Sequence, residues 1–153
     1  MKTKIIKYSI VSDSDILFLK SRPWYQLMEE HYEKINEQLN KICPGTHIVA
    51  PLNFHVDLTK NNFVDCVIFN SDSINIKLHQ MTEGYCHDNC DELFEKNLIK
   101  KIYTGYALSY DGKWRFHSWC IDHDYNLIET TNERIMYFGV ELNCSKNIIL
   151  SKL

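Results

Sequence analysis

The chain has 153 residues, 44% of them hydrophobic and 24% charged, with a formal net charge of -3. Such a length suits one domain over residues 1–153 with a single core, and no apolar run is long enough to cross a membrane. The mildly acidic balance, with no block of Lys or Arg, disfavours a nucleic-acid partner.

The first twenty residues alternate apolar positions with charges and hydroxyls. They lack the continuous apolar core of a signal peptide, so a cytoplasmic location is expected. In that setting the six cysteines, Cys43, Cys66, Cys86, Cys90, Cys120 and Cys144, are expected to be free and mostly buried thiols. Residues 4–11 and 15–19 read as short strands around an SDSD turn. From Ser21, an N-cap followed by Pro23, the residues Trp24, Met28, Tyr32, Ile35, Leu39 and Ile42 recur every three or four positions. This predicts one amphipathic helix from 21 to 42 with a packing role, ended by Cys43-Pro44-Gly45.

Strands are expected over 54–58, over the nearly continuous apolar run 63–69, which suits a central strand, and over 74–78. The period then turns helical at Cys86, Cys90, Leu93, Phe94 and Leu98, predicting a helix over 86–100 with Cys86 at its start. Beyond it, 102–110 and 113–122 flank Asp111-Gly112, the signal for a two-residue hairpin loop, and that register pairs Tyr106 with His117. Two further strands fall over 127–131 and 135–142, and the last residues, SKNIILSKL, pair at an edge or fray. The expected fold is α+β, a mostly antiparallel sheet packed on the helix that carries Cys86, with the core motif over about 80–142.

A thiol attacks a carbonyl as its thiolate, and a helix N-terminus favours the thiolate through its free N–H groups and partial positive charge. Cys86 has that position. Gln80, six residues upstream, is a candidate side-chain donor to an oxyanion, and Asn89 serves the helix start and is a candidate substrate contact. Along FHSWCID, alternation sends His117, Trp119 and Ile121 to one face. If the helix covers that face, thiol and imidazole meet, with Tyr106 and Trp119 beside the ring as further substrate contacts. The acid depends on a loop: three residues over His123, Asp124 and Tyr125 pair Trp119 with Glu129 and place that carboxylate on the His117 face. A two-residue loop turns Glu129 away and leaves Asn132 or Asp122.

The order G-x-C at a helix start, Gly-Tyr on a strand, H-S-W on the next and an acid followed by Thr-Thr resembles the transglutaminase-like branch of the papain-like cysteine enzymes. In that branch the matching segments carry a Cys-His-Asp triad. Over residues 80–131 the resemblance implies Cys86 as nucleophile, His117 as base and Glu129 as the orienting acid, with Glu in place of the usual Asp and Thr130 in place of the usual Pro. The interval from Gln80 to Cys86 is similar to that between the oxyanion glutamine and the nucleophile of papain-type proteases.

The expectation is a cysteine-dependent acyl-transfer enzyme acting on amide bonds of a protein or peptide, as a peptidase, deamidase or transglutaminase, without cofactor or metal. One alternative is a non-catalytic binding or inhibitory module on the same fold. A zinc-stabilised module would draw on Cys86, His87, Cys90, His117, Cys120 and His123, but His117 and Cys120 project to opposite sides of one strand and chelate poorly.

Overall fold

The computed structural model describes residues 8–49 and 56–142. Within them the order is α1 (Asp13–Lys20), α2 (Pro23–Gln26), α3 (Glu29–Ile42), β1 (His47–Ile48), a 3₁₀ turn (Lys60–Phe63), β2 (Val67–Asn70), β3 (Ile76–Leu78), α4 (Cys86–Glu95), β4 (Lys101–Leu108), β5 (Lys113–Ile121), β6 (Leu127–Glu129) and β7 (Met136–Leu142). The architecture is α+β: one mixed sheet in the order β2-β7-β4-β5-β6-β3, with β1 added on β5, and helices against it. No helix among the described residues is long and apolar enough to cross a membrane.

The N-terminal third departs from the sequence reading in two places. Residues 13–20 are a helix, not a strand, because Ser12 caps the N-terminus by accepting from the Asp15 N–H, with Asp13 and Asp15 in the first turn. Ser and Asp suit a helix cap as well as a turn. The expected helix from 21 to 42 is two, broken at Met28, whose φ of -139° and ψ of 46° are not helical. Its packing face is as expected, since Tyr32, Ile35 and Leu39 are buried. The strands expected over 4–11 and 54–58 lie partly outside the described residues, and their described parts, from Tyr8 and from Val56, form no strand. The last nine residues lie wholly outside.

The run 63–69 is not a central strand. Asn61, Asn62 and Phe63 have φ of 51°, 55° and 66°, so a left-handed turn delays the strand until Val67 and leaves β2 at the sheet edge. β3 forms the opposite edge, parallel to β6, and β1 is parallel to β5, so the sheet is mixed and not simply antiparallel. Only residues 71–75 join β2 to β3. Five residues span at most about 17 Å, so the sheet curls until its two edges approach. Phe69 and Ile74 from those edges meet Tyr103, Trp119, Ile121, Leu127 and Tyr137 in a cluster on the concave face. The convex face carries Ile102, Tyr106, Leu108, Trp114 and Cys120 and packs on Tyr32, Ile35 and Leu39 of α3 and on Cys90 and Leu93 of α4.

Both hairpins around β5 use three-residue loops. Ser109 pairs with Lys113 around Tyr110, Asp111 and Gly112, and Gly112 takes the left-handed position with φ of 81°. Asp122 pairs with Asn126 in the same way, with Tyr125 at φ 61°. Glycine is therefore the third loop residue at 110–112, not the second, which shifts the expected register by one: Tyr106 faces Phe116, and His117 faces Gly105. The second loop has the length that places Glu129 on the His117 face, since Cys120 pairs with Ile128.

His117, Gly105 and Gly139 form one row across β5, β4 and β7. A Cβ on Gly105 would collide with the Phe138 carbonyl oxygen, and one on Gly139 would lie 2.8 Å from Trp119 Cη2. The far edge of the Trp119 ring reaches Gly139 on this side-chain-free strip. Gly105→Ala is expected to cost about 3 kcal/mol, because its clash is with backbone that cannot rotate away. Gly84→Ala, with φ of 81° but nothing within 4 Å, should cost about 1 kcal/mol. Urea denaturation should rank them in that order, and equal losses would refute the packing account.

Candidate active site

Gly84, with φ of 81°, turns the chain into α4, and Tyr85 occupies the N-cap with no side-chain cap. The first helical bond runs from the Asn89 N–H to the Tyr85 carbonyl at 2.8 Å. The N–H groups of Cys86, His87 and Asp88 precede it and point toward the helix mouth. The approach segment is tied to the sheet, as the His79 and Met81 N–H groups donate to the Glu129 and Thr130 carbonyls at 2.8 Å.

Of the two faces open to it, α4 packs on the one opposite His117. The His87 ring lies 4.9 Å from that of Phe116 and its Nδ1 is 2.6 Å from Ser118 Oγ, while Cys90 meets Cys120. His117 projects to the concave face. Thiol and imidazole nevertheless meet, because β5 has an uncovered rung. β1 pairs with β5 at Lys113 and Trp114, and β6 pairs with it at Cys120 and Ile121. Continuing the β6 register would set Thr130 opposite Ser118, but the Cys86 side chain comes there instead, near enough to the Ser118 N–H and the His117 ring for both to favour its thiolate. The sulfur thus fills the missing rung at the edge between the two faces.

Glu129 completes the line. His117 Nε2 lies 2.9 and 3.0 Å from the two carboxylate oxygens, leaving Nδ1 for the sulfur. Oε1 also accepts from the Tyr137 hydroxyl at 2.8 Å, and Oε2 accepts from the N–H and hydroxyl of Thr131 at 2.9 and 3.0 Å. The carboxylate, 1% exposed, therefore has four donors. Burial alone would raise its pKa, but the bonds and charge of His117, with Thr131 and Tyr137, hold it below the ordinary value. Burial alone would lower His117, and its bonds to Cys86 and Glu129 raise it instead. Burial would likewise raise Cys86, but His117 and the Ser118 N–H outweigh that and the opposing charge of Glu129, and the thiol is held below its usual value. Both directions favour the thiolate and the imidazolium over the neutral thiol and imidazole.

The other residues singled out from sequence take several different places. Tyr106 is fully buried on the convex side, because of the one-residue register shift, and does not flank the imidazole. Trp119 is fully buried and stacks behind His117, with ring centroids 6.3 Å apart. Asn89 is buried and turns its amide inward, to the Thr82 carbonyl at 2.9 Å and Thr130 Oγ1 at 3.2 Å. Gln80 is exposed on the approach segment. The H-x2-C-x2-H string disperses, with His123 Nε2 at the Asn97 carbonyl. Among the described residues no group of three or more His, Cys, Asp or Glu side chains is arranged to hold a metal ion.

A cleft of about 530 Å³ opens onto Cys86 and His117, lined also by Arg115, Phe116, Asn132 and Arg134. Arg115 is held by both oxygens of Asp111, at 2.7 and 3.0 Å. Arg134 is held by the Asn132 carbonyl and Ser109 Oγ at 3.2 Å each. Tyr137 and Arg134 escaped the sequence reading, since their approach to the site depends on how β7 and the loop before it lie on β4, whereas Arg115, two residues before His117 on β5, shares its face by simple alternation. Thr131, in the IETT string, carried a signal: a hydroxyl residue two after an acid can bond that carboxylate locally.

No family model, no curated protein and no solved structure matches this chain. The site therefore rests on its own geometry.

Alkylation of Cys86 by iodoacetamide should persist below the ordinary thiol range and fall away only as pH drops through the depressed pKa. His117→Ala removes the main support for the thiolate and should slow the reaction at pH 7 by about tenfold or more. Cys66, pushed up to about 12 by burial and nearby Asp65 and Asp57, is the slow internal reference. Equal rates at Cys86 and Cys66 would dismiss the ion pair. Glu129→Ala leaves His117 buried without its carboxylate and should cost about 3 kcal/mol at pH 7, read by urea denaturation. The folded pKa of Glu129 is below its unfolded value, so its contribution is present above the ordinary carboxylate pKa and is lost as pH falls through the depressed one. That part of the acid-side slope should vanish in the variant.

Proposed function

We propose that this protein is a cysteine-dependent acyl-transfer enzyme acting on amide bonds of a protein or peptide, with Cys86 as nucleophile, His117 as proton carrier and Glu129 as the group that orients it. The observation that carries the reading is the continuous line from a sulfur at a helix start, through an imidazole, to a carboxylate with four donors. In space it is a helix-borne thiol, a strand-borne histidine and an acid on the next strand, the arrangement implied by the likeness to papain-like and transglutaminase-like enzymes.

The chemistry follows from the atoms present. The Cys86 thiolate attacks the amide carbonyl carbon, and the C=O π electrons move to oxygen. The N–H groups at the start of α4 face that developing oxyanion, where their dipoles stabilise it without reorganisation. His117 transfers its proton to the nitrogen of the leaving amine, the C–N bond breaks, and a thioester to Cys86 remains. Glu129 stays ionised through the cycle, fixing the ring with Nε2 toward itself and Nδ1 toward sulfur. Water or an amine then attacks the thioester, which gives hydrolysis in one case and cross-linking in the other. The cleft has room for a peptide segment and offers guanidinium and amide groups to a polar side chain. No cofactor enters any step, and a free-thiol nucleophile suits the reducing cytoplasm.

Incubation with a defined peptide mixture rich in glutamine and backbone amides should give a hydroxylamine-labile acyl adduct on Cys86, visible by intact mass. It should also release either ammonia or peptide fragments. Cys86→Ala should remove adduct and turnover together, and His117→Ala should lower turnover by at least about a hundredfold. Absence of adduct, ammonia and fragments across the mixture, in protein whose Cys86 still alkylates rapidly, would overturn the enzyme reading in favour of a non-catalytic binding module.

A further inference from the structure

Cys90 and Cys120 take no part in acyl transfer, yet their Sγ atoms lie 2.9 Å apart and both side chains are 0% exposed. Cys90 stands one turn after Cys86 on α4, and Cys120 stands three residues after His117 on β5. The two sulfurs therefore join the same helix and strand that carry the thiol and the imidazole. A disulfide bond measures about 2.05 Å, so closing this pair needs a shift of under about 1 Å. The neighbouring thiols are placed differently: Cys43 faces the Met136 sulfur at 3.8 Å, and Cys66 faces the Leu58 carbonyl at 3.5 Å.

We propose that Cys90 and Cys120 are a dithiol modification site that closes to an intramolecular disulfide under a hydroperoxide oxidant, clamping α4 to β5. The bond joins residues 90 and 120 and leaves Cys86 outside it. In the first step one sulfur attacks a peroxide oxygen: its S–H bond and the O–O bond break, an S–O bond forms, and one water leaves. In the second, the other sulfur attacks the sulfenic sulfur: its S–H bond and the S–O bond break, the S–S bond forms, and a second water leaves. The two thiols lose two electrons and two protons, and hydrogen peroxide takes up both to become two waters. Burial makes entry of the oxidant depend on brief opening of α4, which is short and held to β5 on one side. The clamp then closes a 30-residue separation and restricts the unfolded chain accordingly. It stands on the placement of this pair and does not require Cys86 to act on amides.

The test uses the full chain and its Cys86→Ala variant, so that oxidation at Cys86 does not mask the result. Each is titrated with hydrogen peroxide under native conditions, quenched with N-ethylmaleimide and mapped by peptide mass. The expected product in both is a linked peptide pair joining Cys90 to Cys120, two hydrogens lighter than the thiol form and split by dithiothreitol. The melting temperature should rise by on the order of 10 °C and return on reduction. Cys120→Ala should show neither change, and should that variant fail to fold, the map of the other two proteins decides alone. Recovery of Cys90 and Cys120 both carrying maleimide after unfolding, at peroxide levels that fully oxidise Cys86 in the full chain, would overturn the proposal. So would linkage of either residue to a different cysteine.

Discussion

A carboxylate with 1% exposure must be neutralised or supplied with donors, and the placement of Glu129 organises much of this molecule around that demand. Three separate parts of the chain answer it: His117 from β5, Thr131 from just beyond β6, and the Tyr137 hydroxyl from β7. Tyr137 reaches it only because β7 lies on the far side of β4 and the sheet curls. With four donors converging, the acid stays ionised in a site that would otherwise protonate it, and its charge fixes the tautomer and tilt of the imidazole. The cost is imposed on the fold: Trp119 stacks behind the ring, and Gly139 leaves room for its far edge.

The meeting of helix and strand follows from a second constraint, the unsatisfied backbone of β5. A strand bordered by β1 at one end and β6 at the other is left with a gap at His117 and Ser118. A buried N–H there, as at Ser118, needs a partner. The Cys86 sulfur comes beside it, so this backbone donor adds to His117 in holding the thiol pKa down. This resolves an apparent contradiction of faces. α4 is anchored on the convex side through His87, Ser118 and Cys90, while the acid and base sit on the concave side. The chain from His87 Nδ1 to Ser118 Oγ, on to Thr104 Oγ1 and the His117 carbonyl, with distances of 2.6, 3.0 and 3.2 Å, holds that junction in register.

What was legible in the sequence follows the range of the forces involved. The helix start at Cys86 and the strands over 102–142 are local in origin and were legible in the residue pattern, whereas the loop before β6 read equally well with two residues or three, and only the pairing of Cys120 with Ile128 puts Glu129 on the His117 face. Asp111-Gly112 misled because the same dipeptide serves the last two positions of a three-residue loop as well as a two-residue one, and the difference of one residue moved Tyr106 to the other face. Ser12 and Asp15 were ambiguous between turn and helix cap, which local chemistry alone does not separate. The face chosen by α4, the roles of Tyr137 and Arg134, and the parallel pairing of β3 with β6 depend on contacts distant in sequence. No periodicity encodes them.

The length of the acid side chain is where these constraints join. β6 pairs with β5 only at Cys120 and Ile121 and then turns toward β3, so by the time the chain reaches residue 129 it has begun to leave β5. By register Glu129 stands beside Trp119, two residues along the strand from His117, a diagonal separation of about 7–8 Å between backbones. An aspartate at this position would stop about 1.5 Å short, a single C–C bond length, and would draw back from both the imidazole and the Tyr137 hydroxyl. Glutamate spans the diagonal and still turns its second oxygen back to Thr131. The longer acid is thus matched to a strand whose pairing with β5 ends at Ile128. That same early divergence frees the rung on β5 into which the Cys86 sulfur fits, so the longer acid and the placement of the thiol are two consequences of one break in strand pairing.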